Sequence, residues 1–164
     1  MTSKAETKPS AERELTITRA FDAPRSLVFK MWTDPKHMAQ WWGPHDFTNP
    51  VCELDVRPGG AILIHMRAPN GEVHPMTGVF REIVEPERLV FAIAVDDADG
   101  NRLLEGLTTV TFAEQGGKTT LTLQTRAVGF VAIAARMIEG MEAGWTQSLE
   151  RLEALVRRVR GEAE

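Results

Sequence analysis

The chain has 164 residues, 43% of them hydrophobic and 26% charged, with a mean hydropathy of −0.21. These figures fit one ordinary globular domain with a buried core. A net charge of −4 argues against nucleic acid as a main partner, and one cysteine, Cys52, excludes an internal disulfide framework. The opening stretch MTSKAETKPSAER lacks the apolar segment of a secretory signal, and no apolar run approaches the roughly 20 residues of a membrane helix. The expectation is a cytoplasmic protein with neither nucleic-acid nor membrane partners.

Residues 1–13 are small and polar and read as a flexible tail, leaving 14–160 as a single domain. Leu15, Ile17 and Phe21 share one parity of a strand, with Thr16, Thr18 and Ala20 on the other. Asp22 before Ala23-Pro24 reads as a helix start, and Leu27, Val28, Met31 and Trp32 give the apolar face of a short helix. Asp34-Pro35 opens a second, carrying Met38, Trp41 and Trp42, and Gly43-Pro44 ends it.

Six strands follow, at Val51–Val56, Ala61–Ala68, Val73–Val84, Leu89–Val95, Leu103–Ala113 and Thr119–Ala127. Their turns are Arg57-Pro58-Gly59-Gly60, Asn70-Gly71, Glu85-Pro86-Glu87, Asp99-Gly100-Asn101 and Gly116-Gly117. Connections this short permit only antiparallel pairing, hence a meander. From about Phe130 to Val159 the pattern is one long amphipathic helix, with Met137, Met141, Trp145, Ser148, Leu152 and Leu155 on its apolar face. The fold class is therefore α+β: an antiparallel sheet curved around a long C-terminal helix, with two short helices after the first strand.

Within this order stand five motifs: Trp41-Trp42-Gly43-Pro44, Arg57-Pro58-Gly59-Gly60, Gly78-Val79-Phe80-Arg81-Glu82-Ile83, Pro86-Glu87-Arg88-Leu89-Val90-Phe91 and Gly140-Met141-Glu142-Ala143-Gly144-Trp145. Together they resemble the activator of heat-shock-protein ATPase homologue family of the START-like, or SRPBCC, superfamily, over residues 13–160. The resemblance implies a helix-grip fold with an apolar cavity between sheet and C-terminal helix. It also implies a hydrophobic ligand, a lipid or an aromatic molecule, and no catalytic signature accompanies it. Some members of the superfamily are cyclases or aromatases.

Trp41, His65, Met66, Met76, Phe91, Met137, Met141 and Trp145 are the candidate ligand-binding residues. Tryptophan offers a stacking surface and methionine an adaptable one, though both also serve as ordinary core. Gly140 and Gly144 either admit a close neighbour or leave room beside Trp145. His65 is the first nominee for a general acid or base, with Arg67 or Glu72 well behind it, should the protein be a cyclase- or dehydratase-like enzyme. His37, His45 and His74 show no metal spacing, and neither a metal nor any other cofactor is expected. Arg67, Arg81 and Arg126 could each anchor a carboxylate ligand, and read better as solvent-face residues that pair with Glu72 or Glu82. A hydrophobic-ligand carrier is the leading expectation, with an enzyme or a chaperone-binding module behind it. Homodimerisation is a further possibility that nothing in the sequence locates.

Overall fold

The computed structural model describes residues 11–97 and 99–163. Strand β1 (Ala11–Phe21) leads to helices α1 (Arg25–Thr33) and α2 (Pro35–Trp41). The meander follows: β2 (Thr48–Leu54), β3 (Ala61–Arg67), β4 (Val73–Val84), β5 (Arg88–Asp96), β6 (Arg102–Gln115) and β7 (Lys118–Gly129). Helices α3 (Ala132–Glu139) and α4 (Met141–Ala163) close the chain. All seven strands form one antiparallel sheet in the order β1-β7-β6-β5-β4-β3-β2, curved around the C-terminal helix.

Three expectations need correction. Residues 1–10 lie outside the described part, but Ala11, Glu12 and Arg13, expected in the tail, belong to β1 and pair with Gly129, Val128 and Ala127. Charge conceals the strand in the sequence: Glu12 bonds Arg126 on the neighbouring strand, while Arg13 reaches Glu142 of α4 at 2.8 Å. Arg19 makes the same connection further along, to Glu153 at 2.9 Å. These positions of β1 carry salt bridges to the helix where apolar residues would otherwise announce a strand.

Asp22 does not cap α1, whose N-cap is Pro24 with no side-chain bond. The amide of Arg25 instead donates to the Glu114 carboxylate at 2.7 Å, so β6 supplies the acceptor that the helix start requires. Asp34 does cap α2, accepting from the Lys36 amide at 2.9 Å.

The expected single C-terminal helix is two. Gly140 sits at φ −84° and ψ 0°, off the helical value of about −42° for ψ, and ends α3. Glycine has the least to lose from such a break. The close approach lies elsewhere, at Gly129, where a Cβ would stand 2.7 Å from that of Ala134. Helix α3 can thus settle on the end of β7 only because position 129 has no side chain.

Buried residues of α1, α2 and α4 meet the inner face of the sheet. Trp32 is fully buried at the centre, its ring 4.6 Å from Trp41, 6.2 Å from Phe91, 6.4 Å from Phe112 and 6.3 Å from Trp145. Leu149, Leu152, Leu155 and Val156 of α4 complete this half of the core. Packing is dense here, and it is looser toward α3.

Candidate functional site

Along β5, Phe91, Ile93 and Val95 face inward, and the register determines what stands beside them. Ile93 is flanked by Gly78 and Gly106, and Gly106 by Ala127. Val95 is flanked by Met76 and Leu104, and Leu104 by Gly129. Large apolar side chains thus alternate with glycine and alanine across the sheet at this end, and Ile93 covers both Gly78 and Gly106. On the opposite side, Gly140 at the end of α3 and Gly144 of α4 stand where other positions would carry bulk.

What remains between them is an apolar cleft of about 230 Å³. Met66, Met76, Ile93, Val95, Leu104 and Ala127 line it from the sheet, and Met137, Ile138, Met141, Trp145 and Ser148 from the helices. Trp42, Gly43 and Pro44 form its third side. It adjoins a wider outer chamber of about 740 Å³, with which it shares Pro44, Met66, Val95 and Met137. Phe47, Glu72, His74, Pro75, Asp96, Asp97 and Leu103 line that outer part.

Five of the expected ligand-binding residues, Met66, Met76, Met137, Met141 and Trp145, come together here. The others do not. Trp41 is fully buried against Trp32, its indole N–H donating to the Met31 carbonyl at 3.0 Å; it belongs to the core. Its neighbour Trp42 is the cavity wall instead, 5.4 Å from Trp145 with the rings at 83°. Two adjacent tryptophans at a helix end must diverge, and the sequence does not say which turns inward. Phe91 packs behind the wall, beside Trp32 and Trp42, around a void of only about 10 Å³.

His65 also departs from expectation. Strand side chains alternate, and Ile62, Ile64 and Met66 of β3 point inward, so His65 belongs to the outer face. The enzyme reading thereby loses its first nominee; among the described residues no titratable side chain lines the inner cleft, and of the two further nominees Glu72 lines the outer chamber. Gly140 and Gly144 turn out to provide space: a Cβ at 144 meets only Pro44, at 3.9 Å, and one at 140 only backbone carbonyls at 3.6 Å and beyond.

The segment 42–47 is fastened to α4. Arg151 donates through Nη1 to the carbonyls of Trp42, Gly43 and Pro44 at 2.9–3.1 Å, and through Nη2 to that of Gln40 at 3.2 Å. Burial pulls its pKa below the usual arginine range, countered by the charge of Asp46, and the guanidinium stays protonated at physiological pH. Gln147 accepts from the His45 amide at 3.0 Å, and the His45 ring lies 3.3 Å from Glu150. Asn49 adds a bond from its side-chain amide to the Trp42 carbonyl at 2.8 Å. Arg151, Gln147 and Asn49 did not stand out in the sequence, because their partners are backbone atoms more than a hundred residues away or in a neighbouring turn.

Away from the cleft, the arginine partners differ from those expected. Arg126 pairs with Glu12 at 2.6 Å, and Glu82 takes Arg88 at 2.6 Å. Among the described residues no group of three His, Cys, Asp or Glu could hold a metal ion. Cys52 is half-buried, and desolvation, followed by the charges of Asp34 and Glu53, pushes its thiol up to about 11 from 9.0. At pH 8 its alkylation by iodoacetamide should run about 100-fold slower than that of the unfolded chain, since the thiolate is the nucleophile. The rate should still rise tenfold per pH unit between 8 and 10; a plateau near pH 9 would show an ordinary thiol. Because the folded state holds this proton more tightly, the associated stability is present below pH 9 and is lost as pH rises toward 11.

A curved antiparallel sheet gripping a C-terminal helix, with a cleft between them, defines the helix-grip class. The family model described as "Activator of Hsp90 ATPase homolog 1-like protein" matches residues 22–157, and the chain belongs to that family. Among solved structures, a protein from Chromobacterium violaceum is 28% identical with a TM-score of 0.72, covering 87% of this chain and 96% of its own. One from Mycobacterium smegmatis is 28% identical at a TM-score of 0.71, over 87% and 89% of the two chains. The AHSA1 protein from Silicibacter pomeroyi is 26% identical at 0.71, over 87% and 96%. No curated protein matches the sequence. No helix among the described residues is long and apolar enough to cross a membrane.

Proposed function

We propose that this chain is a binding protein for a small hydrophobic ligand, held between the sheet and helices α3 and α4. The observation that carries the reading is the cleft itself: apolar, rich in methionine, and lined by Gly140 and Gly144, the latter inside α4 where alanine would stabilise the helix. Inner and outer chambers of about 230 and 740 Å³ suit a molecule of the size that protein pockets usually take. Affinity would come from buried apolar area, about 25 cal/mol per Å² before the costs of association. Methionine side chains adapt to several shapes, so the site favours a ligand class over a single rigid molecule.

Native mass spectrometry of the gently purified protein, with solvent extraction of any bound species, tests the proposal. A reproducible adduct, lost on denaturation and diminished in Met141→Arg, is the expected result. A bare mass that no lipid or aromatic compound shifts would overturn it, and stoichiometric recovery of a protein partner would then favour an interaction module.

A further inference from the structure

The outer chamber carries charge of one sign. Glu72, Asp96 and Asp97 line it, and among the described residues no lysine or arginine lines either chamber. Their engagement differs. Asp96 is held by Arg102 at 2.6 Å, and Arg102 is shared with Glu105, so this group of three still carries a net negative charge. Asp97 accepts from the Asp99 and Asn101 amides at 2.9 Å, bonds that hold its carboxyl below the usual range and keep it ionised. Glu72 is exposed, with the His74 ring 4.0 Å away and a single bond from Asn70 at 3.3 Å.

An aromatic residue lines the same chamber, Phe47. An aromatic face attracts a cation electrostatically, and more so where water is thinned by apolar neighbours. Met66 and Met137 border both chambers, giving a continuous apolar path inward. The inner cleft has no charged side chain, and its one hydroxyl, on Ser148, already donates to the Gly144 carbonyl at 2.9 Å. A ligand that fits both parts has an uncharged apolar body and a positive end.

From this juxtaposition of an apolar inner cleft with an outer chamber of carboxylates and Phe47, we infer that the ligand is a lipophilic cation, an amine or quaternary ammonium on an apolar body. The inference rests on the ligand-binding reading above. The body occupies the cleft beside Trp145 and Met141, and the ammonium stays in the outer chamber facing Glu72, Asp97 and Phe47. A lipophilic anion is disfavoured twice, by repulsion from the carboxylates and by the lack of a lysine or arginine among the described lining residues to receive it. Converging negative charge around a low-dielectric mouth also concentrates cations there, in a way that added salt weakens.

The test compares three probes of one skeleton at pH 7.5: octyltrimethylammonium, 1-octanol and octanoate, followed by tryptophan fluorescence and calorimetry. The ammonium should bind at least tenfold more tightly than octanol in low salt, with octanoate weakest. Raising salt to about 0.5 M should erode the preference for the ammonium and leave octanol unchanged. Glu72→Gln, at an exposed position, should reduce the preference about threefold, and Glu72→Lys should reduce it further while strengthening octanoate. Equal binding of ammonium and octanol, or tighter binding of octanoate, would overturn the cation assignment and leave the hydrophobic-ligand reading standing. Failure of all three to bind would overturn both.

Discussion

Gly144→Leu should abolish uptake of a neutral apolar fluorophore such as N-phenyl-1-naphthylamine while leaving the protein folded and slightly more stable. The two effects have separate origins. Position 144 lies inside α4, where replacing glycine by a good helix former contributes up to about 1 kcal/mol. A side chain built there points into the cleft and meets only Pro44, so it fills ligand space without colliding with the core. Leucine would occupy much of a cavity of about 230 Å³, and binding should fall at least 100-fold. Gly144→Ala should give the stability gain, roughly 2–4 °C in Tm, with only a partial loss of binding. Unchanged probe binding in the leucine variant, with a native circular dichroism spectrum, would place the ligand site elsewhere.

Arg151→Met should cost about 2–3 kcal/mol and lower Tm by roughly 5–10 °C. Methionine keeps the apolar stem and removes the charged head, which bonds four backbone carbonyls from Gln40 to Pro44. Hydrogen bonds to a charged group are the stronger kind, and water recovers part of the loss because these carbonyls lie near the surface. Amide exchange reports the effect locally: the His45 and Phe47 amides, bonded to Gln147 and to the Pro44 carbonyl, should exchange at least tenfold faster. An unaltered Tm together with unaltered exchange at these two amides would show that the segment holds itself.

Much of this architecture was legible in the chain. The hairpin turns carry glycine at positive φ, at Gly59, Gly71, Gly100, Gly116 and Gly117, so glycine and proline punctuation located the strands. Apolar periodicity located the helices. Where the reading failed, the determinant was a contact distant in sequence. The start of β1 depends on Glu12 and Arg13 finding Arg126 and Glu142, and the start of α1 on Glu114 arriving from β6. At the cleft, residue type identified the methionines, Trp145 and the glycines at 140 and 144, while Ile93, Val95, Leu104 and Ala127 gave no signal as cavity residues. A cavity is made by side chains that are missing, and only the register of strands shows where their absence coincides. The exchange of Trp41 for Trp42, and of His65 for its inward neighbours, arose from direction: one residue's step turns a helical side chain by about 100° and reverses one on a strand.

The bonds from Arg151 also bear on how a molecule could reach the cleft. They tie the Trp42–Pro44 wall to the same helix that supplies Met141, Gly144 and Trp145, so these two walls travel as one mechanical unit. Widening the passage then falls to the facing side: α3, joined to α4 through Gly140, and the hairpin between β3 and β4, whose Met66 and His74 stand at the outer chamber. Traffic in and out is thereby assigned to parts of the molecule that hold none of the central aromatic core, and admitting a guest need not loosen the packing around Trp32.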